Sequence, residues 1–265
     1  MYKQHFGLKH IPLGKDCHSL WMNDSLSLLK ECFVSLCHSP GIGLLTGEPG
    51  VGKTAALRQI TAEINPHQYQ VFYLAETLFS SCDVYRQIAQ NLGVVPHYRF
   101  AQLWRDIKNN IKERTEQKRS LPILIIDEAQ NLSNHFFQGF PAFLNFAFDA
   151  KDLMTVWFVG HPVLKSIIDR AANTALASRI QVRHQLLPMI DREQFRQLIA
   201  HAFTEAGCQT NLLSDSGIEL LRVASGGRPR MAHQILVCGL QLAAQKKMVH
   251  LPDDVLTDAI SQLKG

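Results

Sequence analysis

The sequence predicts an α/β fold, a parallel sheet flanked by helices, followed by a small all-helical C-terminal lid. Three observations carry this. A short apolar strand at residues 42–46 runs into Gly47-Glu48-Pro49-Gly50-Val51-Gly52-Lys53-Thr54 and then into a helix, the pattern of a phosphate-binding loop. An unbroken apolar run, Leu121-Pro122-Ile123-Leu124-Ile125-Ile126, ends in Asp127-Glu128, as expected of a strand buried on both faces of a parallel sheet. Beyond Pro188 every periodic segment has helical spacing.

The loop chemistry follows from residue type. Gly47, Gly50 and Gly52 permit positive φ and let backbone N–H groups approach phosphate closely. Lys53 brings a point charge to the outer phosphates, and Thr54 offers a hydroxyl to Mg²⁺. The helix over residues 53–64 begins with its positive dipole end at the anion. Glu48, Pro49, Val51 and Ala55 complete the nucleotide-binding stretch. A Gly-rich turn before an ordinary helix is the bland alternative; strand, loop and helix together favour the phosphate site.

The chain has 265 residues, 46% apolar and 19% charged, with no apolar run near the roughly 18–20 residues of a membrane helix. No long apolar segment follows the N-terminal basic residue, so a secretory signal is not evident and the expected location is the cytoplasm. Cys17, Cys32, Cys37, Cys82, Cys208 and Cys238 include no C-x-x-C pair, which suits reduced thiols; Cys32 with Cys37-His38 lacks a second half with zinc-ligand spacing.

A helix is expected over residues 23–38, ended by Ser39-Pro40-Gly41, and a second strand over 70–75. Helices at 81–92 and 100–117 follow. The latter carries Leu103, Trp104, Ile107 and Ile111 on one stripe and Arg105, Lys108 and Lys112 on another. Between residues 99 and 119 there are seven basic residues (Arg99, Arg105, Lys108, Lys112, Arg114, Lys118, Arg119) against three acidic ones, an excess equal to the +4 formal charge of the entire chain. Such a run is either a solvated face or a polyanion contact.

Asp127 and Glu128 stand at the carboxyl end of a central strand, where open α/β sheets bind ligands. Asp127 fits the Mg²⁺ shell and Glu128 fits the base that orients an attacking water. A Phe-rich helix comes next (Phe136, Phe137, Phe140, Phe143, Phe146, Phe148), with Pro141 expected to kink or divide it; these rings read as core or subunit contact. A fourth strand at 154–159 leads to Gly160-His161-Pro162, where His161 is either a sensor of the γ-phosphate or a packed loop histidine. A fifth strand is expected at 180–186. Four helices then follow, near 191–206, 214–224, 229–245 and 252–263, with Asp191 and Ser214 as N-caps and Pro229 and Pro252 in first turns.

Gly47 to Thr54, the Asp127-Glu128-Ala129-Gln130 string, Gly160-His161-Pro162, Ala177-Ser178-Arg179 and Gly226-Gly227-Arg228-Pro229-Arg230 occur in an order that resembles AAA+ ATPases. The opening Phe6-Gly7-Leu8, the Asp-Glu-Ala-Gln string and the Gly-Gly-x-Pro-Arg turn look more narrowly like the ExeA-like branch, which includes transposon-encoded ATPases of the TniB and TnsC type. The resemblance implies ATP with Mg²⁺, a five-stranded AAA+ domain over 41–188 after an N-terminal segment at 1–40 packing near the nucleotide, and a lid over 189–265. It implies an arginine finger at Arg179, acting on a neighbouring subunit's nucleotide, and the lid arginine called sensor 2 at Arg230, with Arg228 as a less fitting substitute. His161 departs from the residue expected there, commonly Gln.

ExeA-type secretion ATPases continue into a membrane helix and a periplasmic part that this sequence does not contain, so the expectation is a cytoplasmic transposition regulator. It would be a homo-oligomer (ring, spiral or filament) with ATP at subunit junctions, binding duplex DNA through phosphate contacts from Arg105, Lys108 and Lys112, with a transposase and a target-selection adaptor as partners. The alternatives are a secretion or envelope-assembly ATPase, a helicase-loader-like DNA ATPase, and a scaffold in which hydrolysis is incidental.

Overall fold

The computed structural model describes residues 2–17, 19–117, 119–208 and 212–264, apart from the side chains of Phe148 and Lys264. The chain divides into two compact units. One comprises residues 27–47 and 60–185; the other comprises 1–26, 48–59 and 186–265. In chain order the elements are α1 (Tyr2–His5), α2 (Asp24–His38), β1 (Ile42–Gly47), α3 (Lys53–Glu63) and β2 (Tyr69–Leu74). Next come α4 (Ser81–Asn91), α5 (Phe100–Glu116), β3 (Leu121–Ile126), α6 (Asn134–Leu144) and β4 (Thr155–Gly160). The last are α7 (Val163–Ile168), α8 (Thr174–Ala177), β5 (Ile180–Leu186), α9 (Arg192–Glu205), α10 (Asp215–Ser225), α11 (Pro229–Gln245) and α12 (Asp253–Lys264).

The first unit is organised on a parallel five-stranded sheet in the order β2-β3-β4-β1-β5. Every residue of β1 and β4 is buried, which is why these strands read as continuous apolar runs. β5 alternates half-buried and exposed residues until Leu186, as an edge strand covered on one face does. Gly43 lies opposite Trp157 in the β1–β4 register, and a Cβ built on Gly43 would fall 2.6 Å from the indole. Trp157 is fully buried and stacks on Phe33 of α2 at 5.4 Å. Glycine is required there by the bulk of its cross-strand partner, not by its own backbone.

On the opposite side of the sheet, Phe136, Phe137, Phe140 and Phe143 of α6 bury completely against Tyr85, Trp104 and Phe158. The Phe-rich segment is therefore core. α6 is not divided at Pro141; it runs through the proline and ends three residues on, at Leu144, although the proline has no N–H to return to the Phe137 carbonyl. Phe146 lies beyond the helix.

The second unit buries Phe195, Ile199, Leu221, Ile235, Leu236, Leu240, Val255 and Leu256 from α9 to α12, together with Phe6 and Leu8 from the N-terminal segment. Asp191 caps α9, its side chain accepting the Gln194 N–H at 2.8 Å, and Ser214 caps α10 through the Gly217 N–H at 2.9 Å. Gly226 closes α10 at φ +57. Among the described residues no helix is long and apolar enough to cross a membrane.

Candidate nucleotide site

The sheet register sets the carboxylate cluster. Thr46 pairs with Gly160 and Ile126 with Phe158, so the carboxyl ends of β1, β3 and β4 lie side by side. Gly47, Asp127-Glu128 and His161 are thereby presented at one edge, the place where a parallel sheet binds ligands.

Asp127 is buried, and the Tyr73 hydroxyl donates to its Oδ2 at 2.7 Å while the Glu128 N–H donates to Oδ1 at 2.9 Å. Such a carboxylate, held as an acceptor from both sides, suits a Mg²⁺ shell. Glu128 sits in the left-handed region, φ 51, a conformation a non-glycine residue keeps only when its surroundings enforce it. Two contacts enforce it here. The hydroxyl of buried Thr77 donates to the Glu128 carbonyl at 2.9 Å, and Gln130 Nε2 donates to Glu128 Oε2 at 2.6 Å. Gln130 Oε1 in turn accepts the His161 N–H at 3.1 Å, so one side chain ties the end of β3 to the end of β4. A Cβ on Gly160 would meet Gln130 Oε1 at once, which explains the glycine. The His161 ring is partly exposed and faces Glu128, Nε2 to Oε2 3.8 Å.

The phosphate-binding loop takes the expected positive φ at two of its three glycines, Gly50 at +82 and Gly52 at +106; Gly47 does not, because it is still the last residue of strand β1. A Cβ on Gly52 would meet nothing within 4 Å, so the backbone there is open to close approach by a ligand. Lys53 is largely buried, and its ammonium donates to the Glu48 carbonyl across the loop at 3.1 Å. Thr54 is exposed at the start of α3. These groups fit a nucleoside triphosphate with Mg²⁺: an open glycine-lined cradle, a helix N-terminus, a cation and a hydroxyl. The Gly226 to Arg230 turn reaches the same loop. The Arg230 N–H donates to the Gly50 carbonyl at 3.2 Å, and its Cβ lies 2.9 Å from where a Gly50 Cβ would stand; the Arg228 guanidinium faces Glu48 at 3.8 Å.

Arg179 lies outside these clusters. It follows α8, and its Nη2 pairs with Asp149 Oδ2 at 2.6 Å. Asp149 is itself at φ 64 in a short turn after α6. Burial first, then the nearby Asp149 charge, pushes the neighbouring Asp152 carboxyl above its ordinary value, with Arg179 opposing.

The basic stripe of α5 divides. Arg105 and Lys112 are exposed. Lys108 turns to its own chain: its ammonium donates to the Asn145 carbonyl at 2.5 Å and lies 4.6 Å from the Phe146 ring centroid, and burial lowers its pKa. Arg114 is likewise structural, bonded to Gln70, Asn110 and the Leu92 carbonyl. Lys118 lies outside the described residues.

Sequence reasoning did not single out Thr77, Tyr73, Gln130 as a bridge, or Asp149. Only Gln130 left a signal, its place two residues after Glu128.

Residues 37–168 match the family model described as "AAA domain". The chain is 27% identical over 262 residues to "General secretion pathway protein A" of Aeromonas hydrophila, covering 94% of this chain and 47% of that protein, so it spans about half the length of this relative. Among solved structures it is similar to the Aeropyrum pernix ORC2 protein in ADPNP–ADP complexes, with TM-score 0.72 and 13% identity, over 98% of this chain and 71% of that one. It is also similar to Drosophila ORC bound to DNA, with TM-score 0.73 and 14% identity, over 100% of this chain and 65% of that one. The fold is that of the AAA+ P-loop NTPases.

Proposed function

We propose that the AAA domain of residues 37–168 makes this chain an ATPase that binds duplex DNA, oligomerises on it, and recruits or regulates a transposase at target DNA. In this reading residues 41–188 form the nucleotide-binding domain, 189–265 the lid, and the protein works in the cytoplasm. The observation that carries the ATPase part is Glu128, held in the left-handed region by Thr77 and Gln130 beside buried Asp127, at the sheet edge from which the glycine loop departs.

Bound ATP with Mg²⁺ supplies the phosphoanhydride and a metal that neutralises its outer phosphates. The chain's own groups do the rest. The loop from Gly47 to Ala55 grips phosphate through backbone N–H groups and Lys53, while Thr54 and Asp127 hold the metal. Glu128 orients a water and accepts its proton, with His161 beside it. Arg230 closes over the loop, and Arg179 serves a neighbouring subunit, where a guanidinium offsets charge developing on the γ-phosphoryl group.

The DNA part is supported by exposed Arg105 and Lys112 on α5 and by the fold's likeness to an ORC structure bound to DNA. Contacts of this kind fix position on the backbone and carry little sequence information. Turnover would then act as a timer that dissolves the assembly. A second reading, a secretion or envelope-assembly ATPase, is favoured by the similarity to the Aeromonas protein over 262 residues. The two separate on one experiment: ATPase activity with and without duplex DNA, paired with electron microscopy. DNA-stimulated turnover with rings or filaments supports the first; DNA-indifferent turnover supports the second.

A further inference from the structure

We propose that His10, Cys17 and Glu205 form a binding site for a divalent cation of borderline softness, Zn²⁺ first among them, that staples the N-terminal segment to the C-terminal end of α9. The three side chains come from two stretches far apart in sequence, and their donor atoms all lie within 4.8 Å of one another. His10 Nε2 and Glu205 Oε2 are 2.5 Å apart, with only 14% and 11% of their side chains exposed. A tetrahedral site with bonds of ~2.0–2.3 Å holds its ligand atoms ~3.3–3.8 Å apart, so closure needs side-chain adjustments of about 1 Å.

The chemistry of the set is specific. Imidazole, thiolate and carboxylate are the three donor types of zinc sites, and three protein ligands leave a fourth position for water. The His10–Glu205 ion pair joins two of these side chains, and the Cys17 thiol, 4.0 Å from the Ile11 carbonyl, is hydrogen-bonded to the same Glu205, so all three donor types meet at one carboxylate.

The scaffold is built before any ion arrives. Lys9 N–H donates to the Ala206 carbonyl at 2.9 Å, next to Glu205. Gly14 N–H donates to the Ile11 carbonyl at 3.0 Å, and His233 Nδ1 lies 2.9 Å from the Pro12 carbonyl. Phe6 and Leu8 anchor the segment in the same apolar cluster as Phe203 and Ala206 of the α9 end. Binding would replace the Cys17 S–H bond by a sulfur–metal bond, the proton passing to solvent, with no change of oxidation state.

The test uses the full chain, reduced with a phosphine and stripped with chelator, titrated with Co²⁺. The expected result is one equivalent bound, with a thiolate-to-cobalt band in the near ultraviolet and tetrahedral bands in the visible, all displaced by Zn²⁺. Cys17→Ser should abolish the near-ultraviolet band, and Zn²⁺ should raise the Tm of the parent chain but not of this variant. His10→Gln and Glu205→Gln keep the sulfur and should weaken Co²⁺ affinity at least about tenfold; they answer the question if Cys17→Ser does not fold. Absence of the near-ultraviolet band in the parent chain, an unchanged band in Cys17→Ser, or an unchanged Co²⁺ affinity in both ligand variants overturns the proposal.

Discussion

Arg179 and Asp149 form an ion pair within one chain, Nη2 to Oδ2 2.6 Å, with both side chains partly exposed. A guanidinium that serves a neighbour's nucleotide must first leave this partner. A pair of such exposure is worth about 0.2–1 kcal/mol, so Asp149→Asn should raise turnover at limiting subunit concentration by no more than about fivefold. Steady-state ATPase assays over a range of protein concentrations check this. A fall to the level of Arg179→Ala would mean that Asp149 positions the arginine instead of withholding it.

Arg179→Ala itself should lose turnover by about 10³-fold, the scale of a missing arginine finger. Mixing it with Lys53→Ala subunits, which keep Arg179 but cannot grip phosphate, should restore part of the activity. Flat activity at all mixing ratios would contradict action between subunits.

Glu128→Gln should still bind ATP but turn over at least about 100-fold more slowly. Gln130→Ala removes the 2.6 Å donor to that carboxylate and the acceptor of the His161 N–H. Loss of one charge-assisted hydrogen bond predicts a kcat about tenfold lower with little change in nucleotide affinity. A change confined to KM would assign Gln130 to binding.

Arg105→Ala with Lys112→Ala should weaken duplex binding and flatten its salt dependence, by about 0.9 in log–log slope for each phosphate no longer neutralised. Lys108→Ala should leave the slope nearly unchanged, because its ammonium is engaged by Asn145 and Phe146. Fluorescence anisotropy at several salt concentrations reads both. Equal effects from all three would show that Lys108 leaves its pocket on DNA.

Gly43→Ala places a methyl 2.6 Å from the Trp157 indole in a fully buried layer. The expected cost is about 1–3 kcal/mol, read as a lower midpoint in chemical denaturation. An unchanged midpoint would mean the β1–β4 layer repacks freely.

All five strands were legible in the sequence to within one residue at either end, because buried parallel strands and glycine-rich turns write local, contiguous signals. Asp127 and Glu128 were legible for the same reason, each standing directly after an apolar run. What stayed hidden depends on tertiary distance. Arg114 looks like one more surface cation until it is seen threaded among Gln70, Asn110 and Leu92. The Asp149–Arg179 pair and the convergence of His10, Cys17 and Glu205 join residues that share no periodicity. Pro141 misled in the other direction: it lies inside α6, where a proline costs one backbone hydrogen bond, yet the helix continues to Leu144 with Phe137, Phe140 and Phe143 buried on either side of it.

If turnover is the timer that dissolves the assembly, nucleotide state governs attachment to DNA. The affinity of Glu128→Gln for duplex DNA in ATP with Mg²⁺, in ADP with Mg²⁺, and without nucleotide reads this dependence. Tight, cooperative binding in ATP that is at least about tenfold weaker in the other two is the predicted result. Affinity that is the same in all three, or absent throughout, would contradict it.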